Sequence, residues 1–271
     1  MKLSVVLSTH AAAFQAVAFK GDFEANVAKI ASWGYDGVEL AVRDPRLVNA
    51  GQLERVVSEC GLVVPAIGTG QAWGEEGLSF TSSDPAVREA AVDRIASHVP
   101  LAAHLDAIVI LGLIRGITPE GQTHEQSMEY LVEAIRRCAV AAEGTDVRFA
   151  LEPMNRYETD LIHTAADGLD LIERVGKENF GLLLDTFHMN IEDADIGASI
   201  RTCGDRIFHF HVADSNRWYP GAGHLDFKSI LEELETTGYR GFVSGEFMPL
   251  PDADTAAECG ICLLYTSDAA D

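Results

Sequence analysis

Eight short apolar runs recur along this chain, separated by stretches of helical periodicity. Leu3–Ser8, Gly37–Leu40, Leu62–Ile67, Ala107–Leu111, Val147–Leu151, Gly181–Leu184, Ile207–Phe210 and Gly241–Ser244 read as buried strands. Between them, Asp22–Trp33, Leu53–Cys60, Asp84 to about His104, Glu125–Glu143, Thr164–Val175, Ile196–Cys203 and Phe227–Thr236 carry apolar residues at helical spacing. Asp22 stands as a helix N-cap, and Asp84 does so with Pro85 in the first turn behind it. Strands alternating with helices over this length predict a single α/β domain, a (β/α)8 TIM barrel. A doubly wound sheet is the rival, but no G-x-G-x-x-G follows Val5 or Val6, and no linker or short repeat interrupts the chain.

Charge narrows the function classes. Twenty Lys and Arg stand against 42 Asp and Glu, a net charge of −22. Nucleic acids and anionic membrane surfaces need clustered cations, so neither is an expected partner. Five scattered cysteines (Cys60, Cys138, Cys203, Cys259, Cys262) read as reduced thiols and predict a cytoplasmic protein. The only C-x-x-C, Cys259 to Cys262, stands alone at the tail. The N-terminal apolar run is too short for a signal peptide, and no apolar stretch is long enough for a transmembrane helix. The last ten residues, CLLYTSDAAD, resemble the in-frame translation of a transposase adapter used in DNA library preparation. The expected division is therefore a barrel over 1–261 and a non-native tail over 262–271.

In such a barrel the C-terminal ends of the strands face one shared site. Strands five to eight end in Leu151-Glu152-Pro153, Leu184-Asp185-Thr186, Phe210-His211-Val212 and Gly245-Glu246-Phe247. Each end thus offers a potential ligand: Glu152, Asp185, His211 and Glu246. One such residue alone would be a cap or an ion-pair partner, but four on successive strands converge. Three carboxylates gathered together repel one another unless a cation joins them. Three oxygens and one imidazole suit one divalent ion of the Mn²⁺, Co²⁺ or Mg²⁺ kind, whereas structural zinc prefers Cys and His.

Two of the four being Glu suggests acid/base work. A ketose chelated through its carbonyl and neighbouring hydroxyl has an acidified C–H between them. One Glu on each face can remove that proton and return one. Return from the opposite face gives an epimer, and return to the adjacent carbon gives an aldose. Around the four lie Glu158 in EPMNRYE, His188 in DTFHMN and Arg217 in HVADSNRW. Singly these would read as a cap, a loop histidine and a surface cation. Together on the βα loops beside a metal they read as substrate contacts. Trp73, in GTGQAW after strand three, either shapes the distal pocket or packs the rim, and Arg115, after strand four, is a candidate for a substrate carboxylate.

LEPMNRYET, LLLDTFHMNIE, HFHVADSNRWYPGAGH and the GE of strand eight resemble the ketose 3-epimerases of the xylose-isomerase-like barrel superfamily, such as the D-tagatose and D-allulose (D-psicose) 3-epimerases. The N-terminal stretches MKLSVVLSTHAAAFQAVAFKGDF, VELAVRDP and AIGTGQAWGEEGLS look most like the 5-keto-L-gluconate epimerase branch. The resemblance runs from Met1 to about Glu258. It implies a homodimeric or homotetrameric enzyme with one Mn²⁺ or Co²⁺ per subunit, acting on a free keto sugar or keto acid. The implied reaction is epimerisation at C3 through a cis-enediolate. It implies Glu152 and Glu246 as the catalytic pair and as metal ligands, Asp185 and His211 as the other ligands, and Glu158, His188 and Arg217 at the O1–O3 end of the substrate. One departure is the tail, where CGICLLYTS stands in place of a full eighth helix and puts the stability of that end in doubt. An aldose–ketose isomerase of the hydroxypyruvate-isomerase kind, a repair nuclease and a non-catalytic sugar-binding barrel are the competing readings. The first lacks a Lys near the strand ends, the second a basic face, and the third any need for both Glu152 and Glu246.

Overall fold

Strand β1 (Lys2–Ser8) buries every residue after Lys2, as a strand covered on both faces must. The computed structural model describes residues 1–10 and 14–268, the last four as backbone. After β1 come α1 (Phe23–Ser32), β2 (Gly37–Ala41), α2 (Ala50–Glu59), β3 (Ala66–Gly68), α3 (Gln71–Glu76), α4 (Pro85–Leu105), β4 (Ile108–Leu111), α5 (His124–Ala141) and β5 (Phe149–Leu151). Then follow α6 (Ala165–Val175), β6 (Phe180–Asp185), α7 (Thr186–Glu192), α8 (Ile196–Cys203), β7 (Ile207–Val212), α9 (Phe227–Thr236), β8 (Phe242–Gly245) and α10 (Ala253–Asp268). Each strand pairs in parallel with the next, and β1 pairs with β8 to close the barrel, Ser4 beside Ser244. The expected (β/α)8 architecture is therefore present.

Local chemistry sets the helix starts. Asp22 accepts from the Ala25 amide (3.2 Å), Asp84 from Ala86 (2.8 Å), and Thr164 with Asp167 forms a reciprocal capping box on α6. The third strand is shorter than the run Leu62–Ile67 suggests. Pro65 has no N–H to give a ladder, so pairing begins at Ala66, and Val63 is left half-exposed in an isolated bridge to Gly37. Helix α2 begins ahead of Leu53, where the Asn49 side chain caps Gln52. The short helices α3 and α7 arise in segments that read as loops, so His188 lies on a helix. The eighth helix is continuous through Cys259 and Cys262, with Ala256, Ala257, Ile261 and Leu264 buried against the barrel. Of the adapter-like tail, Ala269–Asp271 fall outside the described residues. Among the described residues, no helix is long and apolar enough to cross a membrane.

Alternate residues of each strand face in and out. The outward set, including Val5, Leu7, Val38, Leu40, Val109 and Leu111, joins the helices in one large core. The barrel interior is divided. Ala66, Ile108, Ile110, Ala150 and Leu183, from β3 to β6, form a small apolar cluster. The strands β1, β2, β7 and β8 instead contribute buried Ser4, Glu39, His209 and Ser244. A register shift between Leu182 and Leu183 gives β7 one extra residue relative to β6, which sets Asp185 beside His211.

Gly37 marks where two segments approach closely. A Cβ there would lie 2.9 Å from the Val63 carbonyl oxygen and 2.8 Å from the Phe242 ring. Gly37→Ala is expected to destabilise the fold by about 1–3 kcal/mol. At roughly 2–4 °C per kcal/mol for a chain this large, thermal unfolding checks it.

Candidate active site

Glu152 follows β5, Asp185 ends β6, His211 lies in β7 and Glu246 follows β8. One ligand atom from each lies within 4.8 Å of all the others. His211 Nδ1 stands 3.8 Å from Glu152 Oε1, 4.0 Å from Asp185 Oδ2 and 3.9 Å from Glu246 Oε2. Glu152 Oε1, Asp185 Oδ2 and His211 Nδ1 are buried without hydrogen-bond partners. Buried polar atoms are rarely left so, and three of them aimed at one point form a donor set that could hold a divalent ion.

The electrostatics agree. Burial, reinforced by Glu246, pushes the Glu152 carboxyl well above its ordinary range. Burial raises Asp185 as well, and it raises Glu246 to about 7 against the pull of His211 and Arg217. Burial opposes charge on His211, but Glu39 and the acids around the site outweigh it and carry that imidazole up to about 10. Without a cation the cluster therefore holds protons that a metal would displace.

The other three expected site residues gather at its edge. Asn155 Nδ2 donates to His188 Nδ1 (2.8 Å), so His188 Nε2 carries the hydrogen and faces Glu152 Oε1 at 3.6 Å. Burial, with Arg217 nearby, holds His188 well below its usual value, hence neutral. Arg217 donates to Glu158 (2.7 Å), lies 3.6 Å from Glu246, and stacks its guanidinium over the Phe14 and Phe187 rings. Its backbone sits at φ 63°, a conformation uncommon outside glycine. Asp214 makes that loop possible by accepting from the amides of Ser215, Gly221 and Leu225. Arg217 Nη2 and His188 Nε2 have no hydrogen-bond partner and stand 3.6 Å from Glu246 and Glu152, so each leaves a donor beside one of the four ligands.

A cavity of about 310 Å³ borders the cluster at Glu152, His211 and Glu246. Phe14, Val17, Leu113 and Met154 line it, as do Trp73 and Glu75 of α3. Trp73 thus shapes the pocket. Arg115 does not reach it. Its fully buried guanidinium donates to the carbonyls of Gly112, Glu152, Leu161 and Ile162. It pins the backbone beneath Glu152, and the expectation of a substrate contact there fails because its donors are spent on these carbonyls.

A family model described as a xylose isomerase-like TIM barrel matches residues 27–261. The L-ribulose 3-epimerase of Mesorhizobium japonicum is 33% identical over 243 residues, 89% of this chain and 80% of that protein. The D-psicose 3-epimerase of Ruminiclostridium cellulolyticum is 33% identical over 83% of this chain and 78% of its own length. This chain belongs to the ketose 3-epimerases of the xylose isomerase-like TIM barrel family. A structure of the Clostridium cellulolyticum D-psicose 3-epimerase with D-tagatose matches it with a TM-score of 0.85 at 26% identity, covering 98% of this chain and 99% of that one.

In this ketose 3-epimerase relative, several residues of the site escape a reading of strand ends. Glu39 lies mid-strand in β2, and His209 precedes His211 by two in β7. Both point inward, and the alternation His-Phe-His was the available signal. Asn155 and Asp214 act by orienting others, which no local pattern announces.

The raised carboxyls give a pH prediction. An acid whose folded pKa exceeds its unfolded value stabilises the fold below the unfolded value, and that stability is lost as pH rises through the folded one. For Glu246 the window runs from 4.5 to about 7. The metal-stripped protein should lose thermal stability across that range. Added Mn²⁺ at a hundredfold excess over its pH 8 Kd should stabilise the protein by about 2.7 kcal/mol at pH 8, and the same concentration should stabilise it less at pH 5, where the ligands hold protons. Calorimetry with and without chelator checks this, and a pH-independent difference would contradict it.

Proposed function

We propose that this protein is a metal-dependent carbohydrate epimerase that interconverts C3 epimers of a free ketose. The observation that carries the reading is the pair Glu152 and Glu246. They enter the site from β5 and β8, both border the cavity, and both share the four-ligand cluster. A divalent ion held by Glu152, Asp185, His211 and Glu246 would act as a Lewis acid toward the ketose carbonyl and its neighbouring hydroxyl. Mn²⁺ or Co²⁺ suits that donor set.

The chain's own residues do the rest. One Glu takes the C3 proton, and the other returns a proton to the opposite face, inverting the carbon. Neutral His188 offers Nε2–H, and Arg217, steadied by Glu158, offers Nη2–H to the oxygens of the enediolate as charge develops there. In D₂O the metal-loaded enzyme should convert D-tagatose, D-psicose or L-ribulose to the 3-epimer with deuterium at C3. Deuterium at C1 with an aldose product would mark an isomerase instead. Glu246→Gln should lower kcat by roughly 10²–10⁴-fold.

The cavity favours a neutral sugar over a keto acid. Among its described lining residues none is Lys or Arg, and Glu75 presents a carboxylate there. Arg43, the cation beside that wall, is tied to Glu75 and Glu76 (2.5 and 3.3 Å). A sugar carboxylate would enter this end unpaired. We expect kcat/KM for a neutral ketose to exceed that for 5-keto-gluconate by at least about tenfold, a difference of 1.4 kcal/mol. Parallel steady-state assays measure it.

A further inference from the structure

Glu39 crosses the barrel interior from β2 to β7. Its carboxylate receives His211 Nε2 at 3.0 and 3.1 Å on its two oxygens, and His209 Nε2 at 2.8 Å. All three side chains are almost fully buried. The two imidazoles meet edge to face, with ring centroids 5.3 Å apart. With a metal ion in place of its second proton, His211 keeps a single N–H, as a neutral imidazole does. An ionised Glu39 can only accept, so it fixes that hydrogen on His211 Nε2 and leaves Nδ1 as a bare lone pair. Nδ1 is the atom that faces Glu152, Asp185 and Glu246 and has no partner of its own.

We infer that Glu39 is a positioning residue for the metal centre. It sets the tautomer and ring orientation of His211, and His209 holds Glu39 in place from the other side. The inference rests on the reading that the four strand-end residues hold a divalent ion. Outer partners of this kind typically govern metal affinity by 10–100-fold. A glutamine at this position carries one acceptor and one NH₂ group. It cannot accept from both rings as Glu39 does. Where its NH₂ meets His211 Nε2, the ring hydrogen must move to Nδ1 and block the ligand position.

Mn²⁺ binding, followed by the electron paramagnetic resonance of the free ion, tests this apart from turnover. The wild-type protein should bind one Mn²⁺ per chain. In Glu39→Gln the Mn²⁺ Kd should rise roughly 10–100-fold, with a shifted visible spectrum in the Co²⁺-loaded form. In His209→Gln, whose amide still donates to Glu39, it should change less than about threefold, well below that range. If Glu39→Gln does not fold by circular dichroism, Glu39→Asp keeps the charge but shortens the reach, and its Mn²⁺ affinity should also fall. A folded Glu39→Gln or Glu39→Asp with wild-type affinity overturns the inference while leaving the metal centre standing. Two ions per wild-type chain, dropping to one in Glu39→Gln, would make Glu39, His209 and His211 ligands of a second ion and overturn it too. No Mn²⁺ binding by the wild type would end both readings.

Discussion

Like charges out of water govern this molecule. Glu152, Asp185 and Glu246 converge on one buried point, where Glu246 and Asp185 make the ionisation of Glu152 more costly and Asp185 does the same to Glu246. Such a cluster weakens a fold unless something compensates. The chain supplies positive or neutral partners on every side: His211 within the cluster, His188 beside Glu152, and Arg217 beside Glu246. None of these saturates the central oxygens, and the unpaired atoms all face the same spot. The architecture is that of a site built to be completed by a cation, with the barrel's large outer core supplying the stability that the centre gives up.

Closure is what brings the four together. They are far apart in the chain and meet because adjacent strands end at one mouth. Their placement was therefore legible once the strand order was: each strand from five to eight ends in a ligand type. The same logic failed for groups whose role depends on contacts across the barrel. Glu39 and His209 look like stray polar residues in apolar strands until β2 and β7 are placed opposite one another. Arg115 shows the reverse error. A cation after a strand reads as a substrate contact, but the buried carbonyls of Gly112, Glu152, Leu161 and Ile162 needed donors more.

Smaller departures follow the same rule of local signal against tertiary demand. The apolar run Leu62–Val64 has strand propensity, but Pro65 removes the amide that would continue the ladder. Helix α7 lay hidden because its residues, Phe187-His188-Met189-Asn190, carry no helical repeat long enough to recognise. Asp185 caps it, accepting from the Phe187 amide (2.7 Å) with one oxygen while the other faces His211 Nδ1 in the four-residue cluster. One side chain thus ends a strand, starts a helix and serves the site.

The cluster and the far wall of the cavity are carried by different parts of the fold. Glu152, Asp185, His211, Glu246 and Glu39 sit within or at the ends of strands, where parallel pairing on both sides holds the backbone. The cavity wall away from them is made by Phe14 and Val17, between β1 and α1, and by Trp73 and Glu75 on α3. Those segments hang from the barrel by loops and can change without disturbing the register that assembles the cluster. On the proposed function, a relative that keeps the strand-end residues but replaces Glu75 with a cation would retain the proton chemistry while admitting an anionic substrate. On the proposed reading, the choice between a neutral ketose and a keto acid lies in the α3 wall and not in the strand-end cluster.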